Sequence, residues 1–325
     1  MYRKNMKKIL ITGATGQIGS ELTLALRDRF GGENVVAAGH RRKPCGKLLE
    51  SGPFVYLDAT DRRALEKVVE EHDIDTIYHL AAVLSAAGEK DPQTAWRVNM
   101  ESLYNVLEVA REKGLTRVFW PSSIAVFGPE APRFNTPQNT ILIPRTIYGV
   151  SKVAGELLCN YYFHRYGVDV RSVRYPGIIS SETLPGGGTT DYAVEIFYEA
   201  IKRKRYTCFL RADTVLPMMY MPDCINAALK LMEADPSRIR CRTSYNVAAM
   251  SFSPAELAAE IRKYIPDFVC EYKPDYRQQI ADSWPMTIDD SVAREDWGWK
   301  PQYDLAAMVK DMIEKLSKRF AEGLL

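Results

Sequence analysis

Tyr148 and Lys152 stand four residues apart in Tyr148-Gly-Val-Ser-Lys152. On a helix that spacing puts both side chains on one face, within reach of each other. An ammonium beside a phenol favours the phenolate, so the phenol's pKa is expected to fall from roughly 10 toward the working range of a general base. Such a base can take a hydroxyl proton while the carbon bearing that hydroxyl loses hydride. Taken alone, the pair reads as an ordinary helix-surface contact. It gains force from Ser122-Ser123-Ile-Ala-Val-Phe-Gly128, which directly follows an apolar run at 116–120. A hydroxyl at the C-terminal mouth of a sheet can orient the oxygen that Tyr148 deprotonates. Ser123 and Ser122 compete for that place, the other one capping or lining the turn.

A second group of residues points to a nucleotide. Gly13, Gly16 and Gly19 have the GxxGxxG spacing, between an apolar run at 8–12 and a helix beginning near Gln17. A turn so placed passes close to a pyrophosphate, and the helix offers unpaired N–H groups and its positive end. At the end of the second strand, where an acidic residue would accept from the ribose hydroxyls, stands Gly39-His40-Arg41-Arg42-Lys43. It offers no carboxylate. Its cations either face a 2′-phosphate or form a solvated basic turn. Asp58, after Leu57, is placed to reach an adenine amino group or to cap the helix that starts near Asp61. Leu80-Ala81-Ala82 is small and apolar, as a wall against a bound cofactor should be, and His79 before it reads as a packed histidine.

The elements that must hold these residues follow from periodicity and punctuation. Strands are expected at 8–12, 35–38, 54–57, 76–79, 116–120 and 168–174, and helices at about 17–30, 61–71, 91–113 and 146–165. Such alternation means βαβ units and a parallel, doubly wound α/β sheet of the Rossmann type. Ser253-Pro254-Ala-Glu256 signals the start of a helix over 256–264. Residues 1–175 are expected to form the nucleotide-binding domain with the serine, tyrosine and lysine. Residues 176–325 would form a smaller interleaved substrate lobe, with some segments returning to the first domain.

Composition bounds the partners. The chain has 325 residues, 46% hydrophobic, with 43 Lys and Arg against 41 Asp and Glu. That is enough for a large core and offers no basic excess for nucleic acid. Six cysteines and four histidines show neither CxxC nor any metal-ligand spacing, so no metal is expected. No apolar run is long enough to span a bilayer, and the basic start at 1–8 leads into the glycine motif rather than a cleavable signal. A cytoplasmic protein is the default.

Gly13xxGly16xxGly19, Ser123 and Tyr148xxxLys152 together resemble the extended short-chain dehydrogenase/reductases, the superfamily of the UDP-galactose epimerases. Later strings narrow the resemblance. Arg174-Tyr-Pro-Gly-Ile-Ile-Ser180, Leu184-Pro-Gly-Gly-Gly-Thr-Thr-Asp-Tyr-Ala193, Leu216-Pro-Met-Met-Tyr-Met-Pro-Asp223, Ser283-Trp284-Pro285 and Trp297-Gly298 are similar to the short-chain type L-threonine 3-dehydrogenases, over about residues 8–318.

The resemblance implies oxidation of L-threonine at Cβ to 2-amino-3-oxobutanoate with NAD⁺ as acceptor and without a metal. Tyr148 would be the base, Lys152 its pKa modulator and ribose anchor, and Ser123 the hydroxyl orienter. Ser85, Gly187, Thr189, Thr190 and Trp284 would meet the substrate. The cofactor set is Gly13, Gly16, Gln17, Ile18, Gly19, His40, Arg41, Leu57, Asp58, Leu80, Ala81, Ala82, Asn99, Tyr175 and Ile178, joined by Tyr148 and Lys152. A homodimer is also implied. Gly39 departs from the family's usual aspartate and leaves NADP open beside NAD. The competing readings are a nucleotide-sugar epimerase or dehydratase on the same scaffold and a non-catalytic NAD(P) sensor or scaffold.

Overall fold

Strand β1, Ile9–Thr12, is buried along its whole length, as a strand covered on both faces must be. The computed structural model describes residues 6–324, so the first five residues of the basic start lie outside it. After β1 come α1 (Gln17–Phe30), β2 (Val35–Gly39), a short α2 (Gly46–Glu50), β3 (Phe54–Tyr56), α3 (Arg62–Glu71), β4 (Thr76–His79), a four-residue α4 (Ser85–Gly88), α5 (Pro92–Lys113) and β5 (Arg117–Phe119). The two-residue strand β6 (Ser122–Ser123) and α6 (Ile147–Tyr166) follow.

Local chemistry sets the helix starts. The Asp61 carboxylate accepts from the Ala64 N–H, Asp91 from Thr94 with Pro92 at the first helical position, and Thr146 from Gly149. Asp61 therefore caps α3, and Asp58 does not.

The run expected as one strand at 168–174 is two. β7 (Val170–Arg171) pairs with β5, whereas β8 (Val173–Tyr175) pairs with β6. The break at Ser172 comes from a change of partner, which side-chain types do not record. The main sheet is parallel with the order β3-β2-β1-β4-β5-β7. Its order reverses between β1 and β4, and a crevice for a ligand opens at the carboxyl ends of strands at such a point.

Beyond residue 176 the chain builds β9 (Gly177–Ile179), α7 (Tyr192–Arg203), β10 (Arg205–Cys208), β11 (Leu216–Tyr220), α8 (Met221–Glu233), β12 (Tyr245–Asn246), β13 (Met250–Phe252), α9 (Pro254–Arg262) and β14 (Val269–Tyr272). The Ser253–Glu256 capping box is formed, and the helix it opens starts at Pro254 rather than 256. One core gathers Phe197, Leu216, Phe252 and Met308 with Ile124–Phe127, so the segment after Ser123 is anchored in this second body. The chain also returns to the first body. β12 pairs with β8, and α8 residues Met221, Cys224 and Leu231 pack in one cluster with Ile9, Tyr78 and Phe119.

Candidate active site

A cleft of about 440 Å³ lies at the switch point between β1 and β4. Gly13, Gly16, Gln17, Ile18 and Gly19 line its inner end. Two of these glycines are steric necessities. A Cβ on Gly13, which has φ +73°, would lie 2.7 Å from the Ala81 nitrogen, and one on Gly19 would lie 2.2 Å from the Gly13 carbonyl oxygen. α1 follows Gly16 with no side chain capping its free N–H groups, and the buried Gln17 Nε2 has no hydrogen-bond partner. A backbone cradle with unspent donors fits the pyrophosphate of a dinucleotide. Leu80 and Ala82 form the opposite wall, while Ala81 sits behind the glycine turn.

The basic turn divides its work. His40 is exposed, its Nε2 3.4 Å from Asp58 Oδ2, and Arg41 is exposed outside the cleft. Arg42, absent from the expected set, lines the cleft and donates from Nη1 to the Thr15 carbonyl at 3.3 Å. Asp58 also lies off the cleft wall. Partial burial disfavours its carboxylate, but hydrogen bonds from the Thr60 hydroxyl and amide and the nearby His40 outweigh that and hold its pKa below the usual range.

Ser123, Tyr148 and Lys152 meet at the floor. The Ser123 hydroxyl sits beside the Tyr148 phenol, close enough to oppose the rise of its pKa, and accepts from the Ala125 N–H. Ser122 donates to Glu156 Oε1 at 2.6 Å, and Glu156 is held by the Arg174 fork at 2.8 and 2.7 Å. The structure thus gives the facing position to Ser123 and ties Ser122 into a buried ion pair.

The expected pull of Lys152 on the phenol is not formed. Lys152 Nζ donates to the Pro121 carbonyl at 2.6 Å and lies 4.4 Å from the centre of the Trp120 ring, against 5.5 Å for the Tyr148 ring. Enclosure by protein pushes the phenol up to about 12, with Ser123 working against it, and burial pushes the ammonium down to about 7. Helical spacing put the two on one face, but the nearest acceptor for the ammonium is a backbone carbonyl. His79 is a packed residue, as expected. It is buried between Thr12 Oγ1 at 2.7 Å and Ser102 Oγ at 3.0 Å, and burial pushes its imidazole down to about 3.

The roof is the segment 184–190. Ser85 Oγ and Thr189 Oγ1 are 3.2 Å apart and both are buried, and the Ala87 N–H donates to the Gly187 carbonyl. Thr190 also lines the cleft, packed against Gly177, and Trp284 closes the end. Gly187 itself is exposed, between Gly186 and Gly188, which do line the cleft. Asp191, not singled out in the sequence, accepts from the Gly187 and Gly188 N–H groups at 2.9 and 2.8 Å. Burial pushes its carboxyl up to about 6 against those bonds. Its signal was an acidic residue at the first position before α7, where a cap is expected; it holds the loop instead.

Residues 9–248 match the NAD dependent epimerase/dehydratase family. The chain belongs to that family. An uncharacterised epimerase/dehydratase of Staphylococcus haemolyticus is 51% identical over 97% of this chain and 99% of its own length. Among solved structures, the holo form of a GalE-like L-threonine dehydrogenase from Cupriavidus necator is 58% identical, with a TM-score of 0.93 over 95% of this chain and 99% of that one. L-threonine dehydrogenase from Clostridium difficile is 52% identical, with a TM-score of 0.94 over 97% and 99%.

As an NAD dependent epimerase/dehydratase family member, the chain brings most of its expected residues to one place. Tyr175 and Ile178 line the cleft with Pro176 and Gly177 from the β8–β9 junction. Leu57 and Asn99 do not line it. Leu57 is buried in the core beside α3, and Asn99 clasps the Val83 backbone at 2.8 and 3.1 Å and donates to Ser151 Oγ at 3.1 Å. Among the described residues no group of three or more His, Cys, Asp or Glu side chains could hold a metal ion.

Proposed function

We propose that the chain is an L-threonine 3-dehydrogenase, oxidising the Cβ hydroxyl to 2-amino-3-oxobutanoate and reducing NAD⁺ to NADH. The supporting observation is the joining, in one cleft, of the glycine cradle, the Ser123–Tyr148–Lys152 floor and a small roof of Ser85, Thr189 and Trp284. NAD⁺ when bound supplies the hydride acceptor. Tyr148 takes the hydroxyl proton, and Ser123 fixes the hydroxyl oxygen in line with the phenol. Lys152 assists only when charged and drawn from the Pro121 carbonyl toward the phenol, where its charge lowers the cost of phenolate. The roof hydroxyls hold the polar head of the amino acid and exclude water from the floor. Because the base must lose its proton, the rate should rise with pH from the acid side.

The same reading makes the protein a cytoplasmic homodimer. All six cysteines are unpaired, as a reducing compartment keeps them, and no helix among the described residues is long and apolar enough to cross a membrane. Trp96 and Tyr104 on α5 and Leu157 and Tyr161 on α6 are each at least 42% exposed, an apolar face suited to a second copy.

NADH formation measured with L-threonine, L-allo-threonine, L-serine and 3-hydroxybutyrate tests the assignment. L-threonine should give the highest kcat/KM. No turnover with L-threonine, or turnover of a nucleotide sugar instead, would sink it.

A further inference from the structure

At the end of the second strand a dinucleotide fold reads the adenosine ribose. A carboxylate there accepts from the 2′-hydroxyl, and an arginine nearby accommodates a 2′-phosphate. Here that strand ends at Gly39, and the place of its missing side chain is taken. A Cβ on Gly39 would lie 2.8 Å from Thr15 Cγ2, 3.0 Å from Phe54 Cζ and 3.3 Å from Thr15 Oγ1. Asp58 at the end of β3 is already engaged by Thr60 and His40.

Arg42 has the opposite character. It folds back over the glycine turn to the Thr15 carbonyl and lines both the cleft and an adjoining cavity of about 1070 Å³, whose near wall also carries Lys43. Among the described residues Arg42 has no carboxylate partner, and one bond to a carbonyl leaves most of its five donors unspent. On the far wall of that cavity Glu195 is taken up by Tyr206 and Glu199 by Arg203. A free planar guanidinium at that place matches the fork geometry of phosphate.

We propose that this cleft accepts 2′-phosphorylated adenosine nucleotides as well as unphosphorylated ones. Arg42 meets the phosphate, and Thr15, seated where a carboxylate would stand, removes the repulsion that would reject it. The cofactor is then NADP as readily as NAD. The proposal rests on the nucleotide reading of the cleft and is independent of threonine as substrate.

Calorimetric titration of the full chain with 5′-AMP and with adenosine 2′,5′-bisphosphate tests it. The bisphosphate should bind at least as tightly as 5′-AMP. Arg42→Ala should lower the bisphosphate-to-AMP preference by about tenfold or more, the size of one charge-assisted contact. The double variant Thr15→Ala with Gly39→Asp, which clears the crowding before adding the carboxylate, should turn the preference toward 5′-AMP by a similar factor. The wild type rejecting the bisphosphate by about tenfold, or Arg42→Ala leaving the preference unchanged, overturns the proposal. Binding of neither ligand overturns the nucleotide reading and this proposal with it. A failure of the threonine assay alone leaves the titrations standing.

Discussion

The floor and the roof of the cleft are built on different principles. The floor is made of strand ends. β1, β4 and β6 hold their positions through ladder hydrogen bonds, and the helix bearing Tyr148 and Lys152 is tied down by a buried bidentate ion pair one turn beyond the lysine. The roof hangs from a few side chains. Thr189 touches Ser85, and one Asp191 oxygen holds two glycine amides. A rigid floor suits groups that must stay aligned through a proton transfer. A lightly pinned loop suits the admission and capture of a small polar molecule.

Substitutions on the two sides should therefore fail differently. The largest effect belongs to Tyr148→Phe, which removes the proposed base and should lower kcat by roughly 10³-fold while nucleotide titrations still show binding. Near-normal turnover would remove Tyr148 from the chemistry. Next is Arg174→Met, which leaves the Glu156 carboxylate buried without its partner. A cost of about 3–5 kcal/mol is expected in denaturant unfolding. A second change, Glu156→Gln, should return much of it, because the uncompensated charge is then gone.

On the roof, Thr189→Val removes one neutral hydrogen bond and should raise the KM for L-threonine about five- to tenfold with less effect on kcat. A loss confined to kcat would mean the roof takes part in the chemistry. A further effect, on stability rather than turnover, lies under the floor. His79 titrates near 3 when folded and near 6.5 when unfolded, so between those values only the unfolded chain gains the proton. Stability should then fall as pH drops below about 6.5, by up to about 1.4 kcal/mol per pH unit. His79→Gln should flatten that acid slope in a thermal-melt series, and an unchanged slope would assign it to other groups.

Local chemistry made the starts of the helices readable. Asp61, Asp91, Thr146 and Ser253 cap helices that start within two residues of their expected places, because a cap is a local hydrogen bond written in residue type. The split at Ser172, the bond from Lys152 to Pro121 and the turn of Arg42 toward Thr15 are tertiary choices. In each the residue types permit several partners, and which is nearest depends on how distant segments pack. Ser122 and Ser123 show the same limit, since adjacent serines on a strand point to opposite faces and only the fold tells which face holds Tyr148.

The sheet under the cleft borrows its covering from the far end of the chain. Ile9, Ile11, Tyr78 and Phe119 share their cluster with Met221, Leu231, Trp297 and Trp299. During synthesis, strands made first must wait with that face covered only in part, by Leu22 and Leu26 of α1, until the tryptophans about 280 residues later emerge. The glycine cradle is encoded before residue 20, yet the sheet beneath it is fully covered only once the segment around residue 299 has joined the cluster.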